Sequence, residues 1–177
     1  MAGLFFLIVF LFFRYLIGVI KFMIFSVIPW TYGVYTNNEF GFSASIPLEF
    51  TNMPELHPPH PGLIIHARDK SKCAAITIFA GSDYYGHHPS IGDIERLEKR
   101  VMEKEHGRLE SMERISIDHT DAVKNISEIQ SIKGKKIIMI KDGVQYIIIC
   151  SAPVEHFSVF DPAFEECLTS WKWIPAK

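Results

Sequence analysis

Nowhere does the chain carry a glycine-rich phosphate loop, a G-x-S-x-G turn or an H-E-x-x-H pair. Phosphate cradling, the strand–turn–helix serine hydrolases and the helix-borne zinc proteases therefore have no starting motif. A basic stripe is missing too. The 18 Lys and Arg are interspersed with 20 Asp and Glu, for a formal net charge of −2, which excludes a nucleic-acid surface. Cysteine is scarce and odd in number: Cys73, Cys150 and Cys167 fit neither a disulfide framework nor a zinc spacing. Cys150 falls in an apolar strand and Cys167 in a helix, where thiols act as small buried hydrophobes.

Charge is also absent from the first thirteen residues, and what replaces it is the longest apolar run in the chain. Residues 4 to 30, "LFFLIVFLFFRYLIGVIKFMIFSVIPW", would extend roughly 40 Å as a helix, enough for a bilayer core of about 30 Å. A cleaved signal would have a basic start, a shorter run and a small-residue cleavage site. The sequence instead predicts an uncleaved single-pass signal anchor, with Trp30, Tyr32 and Tyr35 at the membrane interface. The expected organisation is an anchor over 1–32, a linker over 33–38 and a soluble domain over 39–177. No Lys or Arg occurs between Thr31 and Ala67, whereas Glu39, Glu49 and Glu55 do. By the positive-inside rule the soluble domain is expected on the non-cytoplasmic side, as in a bacterial periplasm or a thylakoid lumen. Arg14, Gly18 and Lys21 share one stripe of the anchor helix, and are candidates for packing against another membrane subunit.

The soluble part alternates between strand and turn signals. Phe40, Phe42, Ala44 and Ile46 alternate with small residues as a half-buried strand. Four prolines between 51 and 62 impose a loop. Strands are expected at about 63–68 and 73–80, joined by "RDKSK". Ser90 and Asp93 make a capping box for a helix over about 91–106, with Ile91, Ile94, Leu97 and Val101 on its apolar face. Glu95, Glu98 and Glu103 are then placed in solvent, so no paired-carboxylate site is expected. Asp142-Gly143 between two β-branched runs is a two-residue hairpin turn. The flanking runs, Ile137 to Ile140 and Tyr146 to Cys150, are apolar at successive positions and must be covered on both faces. Asp161 is expected to cap a last helix with Pro162 in its first turn, before Trp171 and Trp173 alternate as a terminal strand.

One stretch concentrates chemistry. "HPPHPGLIIHARDKSKCAAITIFAGSDYYGHH", residues 57 to 88, holds five of the eight histidines. His57, His60, His87 and His88, with Asp83, are the candidate metal ligands, since imidazoles suit zinc or copper. Cys73 and His66 are the one possible nucleophile–base pair, though no helix N-terminus or elbow stands behind the thiol. The enzyme reading, metal-dependent or hydrolytic, rests on this cluster. A carrier of a small apolar ligand is a third alternative. Tyr84 and Tyr85 are candidate partner-binding residues, because exposed tyrosines anchor interfaces.

The entry "EFGFSASIPLEF" and the ending "GVQYIIICSAPVEHFSVFDPAFEECLTSWKW" resemble the two ends of the PsbP-like family over about residues 39 to 173. The resemblance implies an α+β domain: an antiparallel sheet of about seven strands in an α/β/α sandwich, here preceded by one transmembrane helix. It further implies a binding or assembly role in place of catalysis, and with the anchor stripe and the Tyr84–Tyr85 loop the expectation is an accessory or assembly subunit of a membrane protein complex, with no cofactor. This chain differs from PsbP in carrying its own anchor and from the lipoprotein relatives in lacking a cysteine after the apolar run. No functional residue carries over.

Overall fold

Three turns of the same kind lay out most of the sheet. Asp118–His119, Gln130–Ser131 and Asp142–Gly143 each have φ between 43° and 80°, and each joins two ten-residue strands in tight register. Two consecutive left-handed residues make the primed hairpin turn, whose twist matches that of the strands it joins. Only the third contains glycine. In the other two, Asp118 and Gln130 lead polar pairs that tolerate the left-handed region at some cost.

The computed structural model describes residues 30–53, 61–71, 73–82, 84–86 and 88–175. Its strands are β1 (Tyr32–Asn37), β2 (Phe42–Pro47), β3 (Phe50–Asn52), β4 (Leu63–Asp69), β5 (Ala75–Gly81), β6 (Arg108–Ile117), β7 (Thr120–Ile129), β8 (Ile132–Lys141), β9 (Val144–Pro153) and β10 (Lys172–Trp173). Helix α1 spans Ile91–Lys104 and helix α2 spans Phe157–Thr169. Seven strands form an antiparallel sheet in the order β3-β4-β5-β9-β8-β7-β6, and a smaller sheet has the order β1-β2-β10. The domain is α+β, as expected. The first alternating strand, β2, is not part of the large sheet. It belongs to the small one, where β2 pairs with both β1 and β10.

The two helices cover opposite faces of the large sheet, which follows from adjacent residues on one strand. Lys135 reaches α2 through Asp161 and Glu165, while Lys136 reaches α1 through Glu98, and successive strand residues point to opposite faces. Strands β8 and β9 lie in the middle and are apolar on both sides. Ile137, Ile138, Met139 and Ile148 have no exposed surface, each such side chain contributing about 1.5–3 kcal/mol relative to exposure.

Two expectations need correction. Of residues 33–38, read as a linker, 33–37 lie in strand β1, because Gly33, Tyr35 and Asn37 pair with the buried Ile46, Ala44 and Phe42. Helix α2 starts a turn earlier than Asp161, after His156, and Pro162 lies inside it. Burial of Phe157 and Phe160 favours the additional turn, and Asp161 is drawn to Lys135, 2.6 Å away, instead of capping. Helix α1 ends at Lys104 and keeps the expected capping box between Ser90 and Asp93. Residues 1–29, which include the expected anchor with Arg14, Gly18 and Lys21, lie outside the described residues. Among those described, no helix is long and apolar enough to cross a membrane.

Candidate binding site

Of the candidate metal ligands, His57, His60, Asp83 and His87 lie outside the described residues. His88 sits in the loop before α1 with φ of 50°. Among the described residues no group of three or more His, Cys, Asp and Glu could hold a metal ion. The Cys73–His66 pair does not form. His66 lies within β4 opposite Thr77 and its Nδ1 is 2.9 Å from the Thr77 hydroxyl. Burial, with the Arg68 charge adding, pushes its imidazole below the ordinary value. Cys73 belongs to the turn beyond β4, with its Sγ 2.8 Å from the Ser71 hydroxyl and 3.8 Å from Asp69 Oδ2. The hairpin register separates them: Ala67 and Arg68 pair with Ile76 and Ala75 between His66 and that turn.

The two tyrosines pack on the domain. The Tyr84 hydroxyl donates to the Pro61 carbonyl at 2.8 Å, and its ring meets Phe79 edge-on. The Tyr85 hydroxyl donates to Glu98 at 2.6 Å, and its backbone N–H donates to Gln145 Oε1 at 2.8 Å. Gln145, itself buried, also donates to the Ser82 and Gly86 carbonyls. One side chain on the large sheet thus holds Ser82, Tyr85 and Gly86.

Glu98 is the residue the sequence placed wrongly. It is 1% exposed, because α1 buries Ile94, Glu98 and Met102 while Val101 is exposed. That i, i+4, i+8 stripe departs from the one hydrophobicity suggested. Asn125 Nδ2 donates to Glu98 Oε2 at 2.6 Å, and the Lys136 ammonium lies 3.0 and 3.1 Å from its two oxygens. The register aligns Asn125 with Lys136 across β7 and β8, so both donors face one point on the helix. Burial and the Glu98 carboxylate together push the Tyr85 phenol far above its ordinary value. No local sequence signal marked this site, because Asn125 and Lys136 meet only through the β7–β8 register. The network fastens α1 to the sheet, and its side chains are committed to one another.

Under α2 the sheet carries a second charged group. Lys135, 2% exposed, donates to Asp161 at 2.6 Å and to Glu165, while Lys124 lies 3.6 Å from Glu165 and 3.4 Å from Glu113. Burial works against the Lys135 charge, but the two carboxylates hold its ammonium above the ordinary value. Beside this group, α2 leaves the outer strands β6 and β7 uncovered. A cleft of about 280 Å³ opens there, floored by Ile115, Ile117, Leu168 and Trp171 and bounded by Lys124 and Lys172.

Residues 171–173 fix one side of the cleft. Trp171 stacks on Phe42 with ring centroids 4.2 Å apart, and its buried indole N–H has no hydrogen-bond partner among the described residues. Two residues on, the Trp173 backbone N–H donates to Asp118 at 2.8 Å and its indole N–H to Thr120 at 2.9 Å. The backbone donor and the Lys172 ammonium hold the Asp118 carboxyl below its ordinary value, against slight desolvation. The tail is thereby clamped to the β6–β7 turn. Strand β6 ends at this cleft. It is the outermost strand of the large sheet and, among the described residues, pairs only with β7.

Comparison with known proteins gives a fold. No family model and no curated protein matches the chain. Among solved structures, cyanobacterial PsbP from Synechocystis sp. PCC 6803 superposes with a TM-score of 0.63 at 12% identity, covering 83% of this chain and 95% of that one. The Ran-binding protein Mog1p of Saccharomyces cerevisiae gives 0.55 at 7% identity, over 82% and 97%. A Pseudomonas aeruginosa protein described as a putative regulator gives 0.53 at 15%, over 81% and 98%. At such identities the likeness shows the fold alone, and it bears out the resemblance read from the two ends of the sequence: the chain has the PsbP-like fold.

Proposed function

We propose that this chain is a membrane-anchored, non-catalytic binding module, an accessory or assembly subunit of a membrane protein complex. The anchor is the apolar run over residues 4–30, and the folded domain works on the non-cytoplasmic side of the membrane. One observation carries the binding role: the open β6 edge ends at a cleft that has an apolar floor and charged walls. A free strand edge and a neighbouring pocket are the two parts that strand-addition recognition uses. The PsbP-like fold adds support, since one protein that shares it is named for binding Ran.

The test is extraction of native membranes in mild detergent, followed by native electrophoresis and identification of what migrates with the chain. Stable co-migration with a defined complex is the expected result. A strictly monomeric species would overturn the subunit reading.

A further inference from the structure

The two edges of the large sheet are unequal. Strand β3 at one edge has three residues, while β6 at the other has ten. Long open edges invite pairing, and folded proteins blunt them with bulges and charges. The first half of β6 is blunted in this way. A bulge lies between Leu109 and Ser111, and Arg108, Glu110, Glu128 and Lys133 are tied together by ion pairs. The second half, Ser111 to Ile117, has no bulge, and its last residues form the cleft floor.

The pattern on that second half is specific. On the α2 face, Glu113 is followed by Ile115 and Ile117, which lead into the cleft. On the α1 face lie Met112 and Arg114. Glu113 is 54% exposed with the Lys124 ammonium 3.4 Å away, and Arg114 is 66% exposed while donating to both Glu95 oxygens at 2.7 and 3.0 Å. A strand added antiparallel would set a basic residue against Glu113, an acidic one against Arg114 and an apolar one against Ile115. Directly opposed side chains of opposite charge favour such a register, and like charges disfavour it.

We infer that the Ser111–Ile117 edge of β6 binds an extended segment of a protein partner by strand addition. The segment reads apolar, acidic, basic in N-to-C order opposite Ile115, Arg114 and Glu113, with the apolar side chain entering the 280 Å³ cleft. A second copy of this chain fits less well. Pairing two β6 strands about Met112 would bring Glu110 opposite Arg114, but the bulge turns Glu110 to the α2 face, where it meets Lys133. Arg114 is on the other face with Glu95.

This inference rests on the binding-module reading and names its partner's chemistry. Its test uses only the purified full chain in detergent, so its outcome is independent of co-migration in native membranes. The probe is the blocked heptapeptide Thr-Val-Thr-Leu-Glu-Lys-Thr, with a control in which Glu and Lys are exchanged. Binding is followed by amide and indole N–H resonances of the ¹⁵N-labelled chain. The first peptide should shift the amides of residues 111–117 and the Trp171 indole, and bind about tenfold more tightly than the control. Thr169→Trp, which fills the cleft from an exposed position, should weaken that binding about tenfold without changing the melting temperature. No shift at millimolar peptide, equal binding of both peptides, or undiminished binding by the variant would each overturn the proposal. So would a dimer whose 111–117 resonances broaden with protein concentration, because the edge would then be occupied by a second copy.

Discussion

The Lys136 ammonium lies within 3.1 Å of both oxygens of Glu98, a carboxylate with almost no exposed surface, and it closes the polar seam between α1 and the sheet. A buried ion pair adds little over a well-packed apolar substitute, but removing one partner leaves the others stranded. Glu98→Ala would strand the Tyr85 hydroxyl, the Asn125 amide and the Lys136 ammonium together. The expected loss is about 3–5 kcal/mol, read as a lower urea midpoint at unchanged slope. A loss below about 1 kcal/mol would mean that water replaces the carboxylate and that the seam is not closed.

The pair beneath α2 predicts a pH dependence. Burial alone would raise the Glu165 carboxyl, but the Lys135 hydrogen bond and charge, with Lys124 adding, bring it below its ordinary 4.5. A depressed carboxylate contributes stability that is fully present above the unfolded-state value and is lost as pH falls through the folded one. The chain should therefore lose stability from about pH 4.5 downward. Glu165→Gln should melt lower than the parent near neutrality, and the two melting curves should converge as pH approaches about 3. Parallel curves across that range would show that Glu165 does not carry the linkage.

These two clusters mark the limit of what could be read in the residues. The strands of the meander were legible because consecutive apolar runs and Asp142-Gly143 are local signals, decided by side-chain alternation and by φ preference. The capping box at Ser90 and Asp93 was legible for the same reason. Glu98 was not, because its burial depends on two donors brought together by register from β7 and β8, far along the chain. The early start of α2 was hidden similarly. Pro162 and Asp161 resemble a helix start, but burial of Phe157 and Phe160 against the rest of the core overrides the local preference. The cleft was least legible of all, since it exists only where α2 stops short of the outer strands.

Gly62 offers a local test of how the 82–86 loop is seated. Its φ is +72°, and a Cβ there would lie 1.9 Å from the Tyr84 hydroxyl and 2.5 Å from the Ala80 carbonyl. The left-handed backbone alone costs a side chain about 1–2 kcal/mol. The carbonyl cannot move without disturbing the β4–β5 ladder. Gly62→Ala should then lose more than 2 kcal/mol in all, about the sum of backbone strain and overpacking. It should also free Tyr84, seen as faster amide exchange over the described part of the 82–86 loop. Unchanged exchange would show that the loop is held by Gln145 alone.

The stack of Phe42 on Trp171 joins the small sheet to the cleft, and it makes the two parts thermodynamically dependent. Phe42 has no exposed surface and Trp171 has 1%, and Tyr146 meets both rings edge-on. Phe42→Ala should cost about 3–5 kcal/mol through the cavity left behind. Because β10 pairs with β2 at Phe42 and Ser43, the loss should extend to the tail, releasing Trp173 from Asp118 and Thr120. A double-mutant cycle of Phe42→Leu with Trp171→Phe isolates the ring contact, and its coupling should be about 0.5–1.5 kcal/mol. If the two substitutions are additive, the stack contributes no more than area burial, and that side of the cleft is held by the Trp173 hydrogen bonds alone.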